Sequence, residues 1–226
     1  MRRTVYTQVS LDLPTIEEAI PMAEHALRAG INWLEAGTPL ILGEGVRAIR
    51  TLRRRFPDSP IVADLKTMDG AGLEAEMMLE AGATHVVVMS QAHWGSVKEM
   101  VKVSKAMGGR VMADVLNAGD KVSAARKMEE LGVDWIIVHT GFDERRYVQG
   151  VSPLDDLEKV LNAVRIPVQA VGGLSIDQAV KSVEMGASSL VIGAPLAIRA
   201  DKFAVGEDYE AILKDVVSRV RSIDAE

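Results

Sequence analysis

The stretch IVADLKTMDG at 61–70 places an acid, a base and a second acid, Asp64, Lys66 and Asp69, at the end of an apolar run. Charges there cost on the order of several kcal/mol unless they are paired or solvated. Two arrangements meet that cost: an ion pair where the chain emerges into water, or a working site. More polar residues stand in the same kind of place, since Asp12, Glu35, Asp114 and His139 each finish an apolar run. A histidine so placed can move a proton near neutral pH. Whether these side chains meet depends on the elements that carry them.

Those elements repeat. RAGINWLEAG, EAGATHVVVM, ELGVDWIIVHTG and EMGASSLVIGAP share a helix end, a glycine, a short polar step and a β-rich run. Their glycines, Gly30, Gly82, Gly132 and Gly186, are 52, 50 and 54 residues apart. Half that interval, about 26 residues, suits one strand-plus-helix unit, so each interval holds two. The intervening strands are VYTQVSLDL (5–13), PIVADLK (60–66), RVMADVL (110–116) and PVQAVGG (167–173). Eight strands alternating with helices predict a parallel sheet closed into a single-domain (β/α)₈ TIM barrel over residues 1–226. A doubly wound open sheet is the structural alternative. Pro21, inside the first helical pattern, is expected to kink or shorten that helix.

Barrel chemistry sits at the C-terminal strand ends. Side chains two apart share a strand face, so Asp64 lies with Lys66, and Gln8 and Ser10 with Asp12. Asp12, Glu35, Asp64, Lys66, Asp114 and His139 are then expected on one rim. The last two strands end in Gly172-Gly173 and Gly193-Ala194. Backbone N–H groups at such turns, with the helix dipole beyond Ser175, suit a phosphate. His25, His85 and His93 read as packing or surface residues.

Composition bounds the function. With 226 residues, 48% of them hydrophobic, the chain can bury a sizeable core. A net charge of −6 disfavours a nucleic-acid partner, and the Arg53–Arg55 cluster reads as a solvated helix end. The absence of cysteine excludes disulfides and thiolate metal sites. No signal-like N-terminus and no membrane-length apolar run is present, so a cytoplasmic location and no membrane partner are expected.

Taken together, QVSLDLPTIEEA, LEAGTPLILGEG, IVADLKTMDGAGLEAEMMLEAGA, ADVLNAGDK, LGVDWIIVHTGFDE and AVGGLS resemble the 3-hexulose-6-phosphate synthases. These belong to the orotidine-phosphate decarboxylase suprafamily, whose signature is D-x-K-x-x-D. The resemblance runs from about residue 5 to residue 195. It implies a magnesium-dependent aldol reaction joining ribulose 5-phosphate to formaldehyde through an enediolate. It implies that Glu35 and Asp64 bind Mg²⁺, with Mn²⁺ as a substitute, and that Lys66, kept protonated by flanking carboxylates, supplies a positive donor. By the same resemblance His139 transfers the proton, Asp12 and Asp114 orient Lys66 and substrate hydroxyls, and Asp69 enters the partner subunit's site in a homodimer.

One region departs from the pattern. Relatives often carry a second glycine or an arginine in place of Ala194, and Pro195 removes a backbone N–H. Arg199 is a candidate replacement there. The stretch 141–153 is long for a strand-to-helix loop and reads as a lid. Its Arg145 and Arg146 either reach a phosphate or stay solvated. Rival readings are a 3-keto-gulonate-6-phosphate decarboxylase, sharing Glu35, Asp64 and Lys66, and a non-catalytic sugar-phosphate-binding barrel. HTGFDE is closer to the synthases.

Overall fold

The computed structural model describes residues 4–194 and 209–225. Eight strands among them are β1 (Tyr6–Leu11), β2 (Trp33–Ala36), β3 (Ile61–Thr67), β4 (His85–Met89), β5 (Arg110–Asp114), β6 (Trp135–His139), β7 (Val168–Val171) and β8 (Ser189–Ala194). All pair in parallel with their chain neighbours, and β8 returns to β1, so the sheet is the expected closed (β/α)₈ barrel. Between and after the strands come α1 (Ile16–Arg28), α2 (Thr38–Glu44), α3 (Val46–Arg55), α4 (Ala71–Glu80) and α5 (Trp94–Ala106). The second half adds α6 (Lys121–Leu131), α7 (Phe142–Tyr147), α8 (Leu154–Leu161), α9 (Ile176–Met185) and α10 (Tyr209–Ala225). No described helix is long and apolar enough to cross a membrane.

The glycine repeat has a backbone cause. Gly30, Gly82, Gly132 and Gly186 have φ of 92°, 109°, 93° and 123°, where a Cβ is strained and where the chain leaves a helix for the next strand. Pro21 did not shorten its helix: α1 continues to Arg28, with Thr15 capping its start and Met22, Ala23 and Ala26 buried beyond the proline. The cost is one missing N–H, which that buried face offsets.

Two cores result. Outward strand residues such as Val9, Leu34, Ile61, Val86, Val111, Ile136 and Leu190 pack beneath the helices. Inside the barrel a separate cluster joins Trp33, Val62, Val87, Met112, Trp135 and Ile137. Both strand faces are therefore buried, and the strands read as continuous apolar runs. Tyr6 stacks on Trp33 at 4.9 Å, and Trp135 meets Trp33 edge-on at 5.2 Å. His85, 4.5 Å from Trp33 between ring centroids, belongs to this plug at the N-terminal strand ends. This aromatic layer closes the barrel floor, which leaves the other rim for chemistry.

The rim is less regular than alternation predicts. Strands expected over 5–13, 110–116 and 167–173 stop earlier, at Leu11, Asp114 and Val171. β3 keeps its length but slips register against β4 between Ala63 and Thr67, and Lys66 has φ 49°. Two short helices, α2 and α7, are inserted where a plain strand–loop–helix unit was expected, so the 141–153 segment is partly helical.

Candidate active site

The site is built on the ends of β1, β2, β3, β5 and β6. Asp114 closes β5 and is 1% exposed. Its Oδ2 accepts from Lys66 Nζ at 3.2 Å and lies 2.8 Å from His139 Nδ1, while Oδ1 accepts from the Leu116 N–H at 2.8 Å. Burial pushes this carboxyl up, but His139, Lys66 and the Leu116 N–H outweigh burial and hold it at about 2. An ionised carboxylate only accepts hydrogen bonds, so Nδ1 of His139 carries the proton that points at Asp114. The other ring nitrogen, Nε2, has no partner among the described residues and is left for a ligand.

Lys66 bridges two acids. Its Nζ stands 3.0 Å from Asp64 Oδ2 and 3.2 Å from Asp114. Burial disfavours the ammonium, yet Asp64, Asp114 and Glu35 more than compensate and push its pKa above the ordinary lysine range. The ammonium reaches both acids from a left-handed backbone at the register slip, a conformation costly for a residue with a Cβ. Sites store strain in this way when the surroundings over-determine it. The alternation rule that set Asp64 and Lys66 on one face does not describe this turn, although the two side chains do meet.

Glu35, 8% exposed, accepts from Gln8 Nε2 and, at 2.8 Å, from Ser10 Oγ. Ser10 Oγ also lies 3.0 Å from Asp12 Oδ1. One hydroxyl has one proton, so it cannot satisfy both carboxylates when both are ionised. Burial, then the charges of Asp64 and Asp12, raise Glu35 to about 8. Burial is also the main cause raising Asp12, with the Ser10 hydrogen bond opposing it. Gln8 is fixed from below, because Gln169 Nε2 donates to its Oε1 at 3.1 Å and to Ser189 Oγ at 2.9 Å. This buried chain orients Glu35, and no motif marked Gln169 or Ser189. Thr38, at the start of α2, donates from Oγ1 to Asp64 and was also missed. Gly37 lets it do so, since a Cβ there would run into Asp12 and the Leu11 carbonyl.

Six of the expected residues therefore converge: Asp12, Glu35, Asp64, Lys66, Asp114 and His139. Asp69 stands apart. It touches Ser96 Oγ at 3.4 Å and opens into a separate recess of about 600 Å³ with Gly72, His93 and Glu99. His93 caps α5 through the Gly95 N–H, and His25 binds Glu210 at 3.1 Å on the far side.

Gly172 and Gly173 follow β7, with φ of 122° and 63°. A Cβ on Gly172 would overlap the Thr140 backbone, so glycine allows the turns after β6 and β7 to touch. Gln169 faces Ser189 in the β7–β8 register, and Gly193 stands opposite Ser10 in β1. Ala194 ends β8 opposite Leu11. Pro195 and Arg199 lie outside the described residues.

The donors fit a hard divalent cation. Among the described residues no three metal-binding side chains converge on one point. Mg²⁺ needs only one or two carboxylates, with water and substrate oxygens completing its shell. Glu35 and Asp64 are all-oxygen donors whose mutual repulsion, seen in the raised Glu35, a dication would relieve.

A profile of the orotidine 5'-phosphate decarboxylase / HUMPS family matches residues 6–209. The 3-hexulose-6-phosphate synthase of Bacillus subtilis (strain 168) is 32% identical over 196 residues, covering 86% of this chain and 92% of that one. The synthase of Methylomonas aminofaciens is 32% identical over 209 residues, covering 92% and 99%. The crystal structure of 3-hexulose-6-phosphate synthase from Salmonella typhimurium superimposes with a TM-score of 0.85 at 27% identity, over 96% of this chain and all of that chain. With the barrel and its rim of acids around one lysine in place, the chain belongs to the orotidine 5'-phosphate decarboxylase / HUMPS family.

Proposed function

We propose that the protein is a Mg²⁺-dependent aldehyde-lyase joining ribulose 5-phosphate and formaldehyde into 3-hexulose 6-phosphate, reversibly. One observation carries the reading: Lys66, bridged between Asp64 and Asp114, shares the Asp114 carboxylate with His139, whose Nε2 has no partner among the described residues. The relatives' names supply the substrates.

In this reading His139 Nε2 removes a proton from C1 of ribulose 5-phosphate. The C–H electron pair becomes the double bond of an enediolate, whose oxygen charge Lys66 meets with a proton donor. C1 then attacks the formaldehyde carbon, and the carbonyl oxygen takes the proton back from His139. Asp114 stabilises the imidazolium between these steps, and Asp12 orients Lys66 and a substrate hydroxyl. Glu35 and Asp64 would hold the metal, which supplies positive charge to the enediolate oxygens when bound. The phosphate lies on the turns at Gly172, Gly173, Gly193 and Ala194.

Asp69, whose contact is Ser96 and not the Lys66 cluster, is assigned to the neighbouring site of a homodimer. The exposed Met68, Leu73, Met77 and Trp94 beside it support an association face there. A cytoplasmic location belongs to the same reading.

The test is formaldehyde loss on incubation with ribulose 5-phosphate and Mg²⁺, with 3-keto-gulonate 6-phosphate as the competing substrate. Release of CO₂ from the latter without aldol activity would replace the synthase reading by the decarboxylase.

A further inference from the structure

Arg145 is a half-buried cation that no acid balances among the described residues. Among the described residues no carboxylate pairs with it, and its neighbour on α7, Glu144, is turned to the Gly141 N–H. Burial works against its charge. Its position is nonetheless fixed at two points: Nε donates to the Gly141 carbonyl at 3.2 Å, and the guanidinium lies 5.7 Å from the centre of the Phe142 ring. Its free end rests on the turn after β7, in the space that a Cβ on Gly173 would fill. The N–H groups of Gly173 and Leu174 form no hydrogen bond among the described residues. Arg146 also lies 5.6 Å from the Phe142 ring, but it is exposed and is not among the atoms nearest the Gly173 turn.

A half-buried guanidinium beside backbone donors that form no hydrogen bond is complementary to a dianion, and it meets no carboxylate among the described residues. We infer that Arg145 is a specificity residue that reads the phosphoryl group, reaching from α7 over Gly173 to clamp the phosphate and draw the 141–153 segment onto the mouth. This rests on the sugar-phosphate reading above. Gly173 belongs to the same device, because any side chain there would displace the guanidinium.

The test uses the full chain and four proteins: wild type, Arg145→Gln, Arg145→Lys and Arg146→Gln, with melting curves to confirm folding. The readouts are kcat and KM for ribulose 5-phosphate and the inhibition constant of inorganic phosphate. Arg145→Gln should raise KM and that inhibition constant by about ten- to hundredfold, the scale of a charge-assisted hydrogen bond. Its kcat should change by less than about threefold, as for lost uniform binding. Arg145→Lys should fall between, since a point charge replaces a fork, and Arg146→Gln should match wild type. Unchanged phosphate inhibition in Arg145→Gln overturns the inference, as does equal loss in Arg146→Gln. Should Arg145→Gln fail to fold, unchanged inhibition in Arg145→Lys overturns it instead. A wild type that neither turns over ribulose 5-phosphate nor binds phosphate would remove the sugar-phosphate reading as well, a result distinct from the other two.

Discussion

Asp114 holds His139 and Lys66 through one oxygen, Oδ2, at 2.8 Å and 3.2 Å, and gives its other oxygen to the Leu116 N–H. That division predicts the effect of Asp114→Asn. The Leu116 N–H requires an acceptor, so the amide oxygen must face it and the NH₂ must face His139. A donor in that place forces Nδ1 to accept and moves the ring proton to Nε2, the nitrogen that should be free to take a proton. It also faces the Lys66 ammonium. Turnover should fall by about a thousandfold or more, the scale of a wrong histidine tautomer in a catalytic triad, with KM little changed. Histidine nitrogen NMR should show the Nε2–H tautomer. A variant with wild-type tautomer and rate would separate Asp114 from catalysis.

Lys66 carries both a charge and a strained backbone, and two substitutions separate them. Lys66→Ala removes an aimed donor and should cost at least about a hundredfold in turnover. Stability should fall as well, because Asp64 and Asp114 are buried and lose the ammonium they share, even though Thr38 still meets Asp64, and Leu116 and His139 still meet Asp114. Lys66→Gly should be equally inactive but more stable than Lys66→Ala by about 1 kcal/mol, since φ 49° costs glycine nothing. Equal urea midpoints for the two would mean that the strain is absent in solution.

Much of this was legible in the sequence, for reasons that also mark where it stopped. The barrel followed from glycines that end helices, a backbone need that recurs once per pair of units. The acids, Lys66 and His139 were visible because charge at the end of an apolar run is costly and therefore informative. Alternation failed at Lys66, where a register slip and positive φ replace the pleat. Gln169 and Ser189 read as ordinary polar strand residues because their purpose, steadying Gln8 under Glu35, exists only once β7, β8 and β1 are side by side. Arg145 was one of two adjacent arginines until folding set it alone over Gly173.

His85 gives a pH prediction outside the site. Burial against Trp33, then the charge of Arg110, lowers it to about 4 from 6.5. Its folded pKa is below its unfolded value, so the neutral ring is favoured by folding. That contribution is complete above about pH 6.5 and lost as pH falls towards 4, where the unfolded chain binds the proton first. The loss is on the order of 3 kcal/mol for a ring only 8% exposed. His85→Phe should flatten melting temperature against pH across that window. An unchanged slope would assign acid sensitivity to other groups.

The metal assignment predicts that excess chelator abolishes activity and that Mg²⁺ or Mn²⁺ restores it. Glu35→Gln keeps shape and can still meet Gln8 and Ser10, so it should fold normally while metal affinity drops by at least about tenfold. Titration calorimetry reads this without an activity assay. Full turnover in chelator would end the metal-assisted reading.

Asp69 lies three residues beyond Lys66, yet its contact is Ser96 and not the Lys66 cluster. If it serves the neighbouring subunit, the dimer must be isologous, each chain lending the same residue. Two inactive homodimers, Lys66→Ala and Asp69→Asn, should then complement each other when unfolded together and refolded. In a mixed dimer one site receives both defects and the other receives neither. Random pairing makes about half of the dimers mixed, so about a quarter of all sites should regain wild-type turnover. If Asp69 instead acts within its own chain, every site in the mixture keeps one defect and none recovers. Mixed dimers can be verified with a charge tag on one variant. Their presence without recovered activity would return Asp69 to a structural place beside α5.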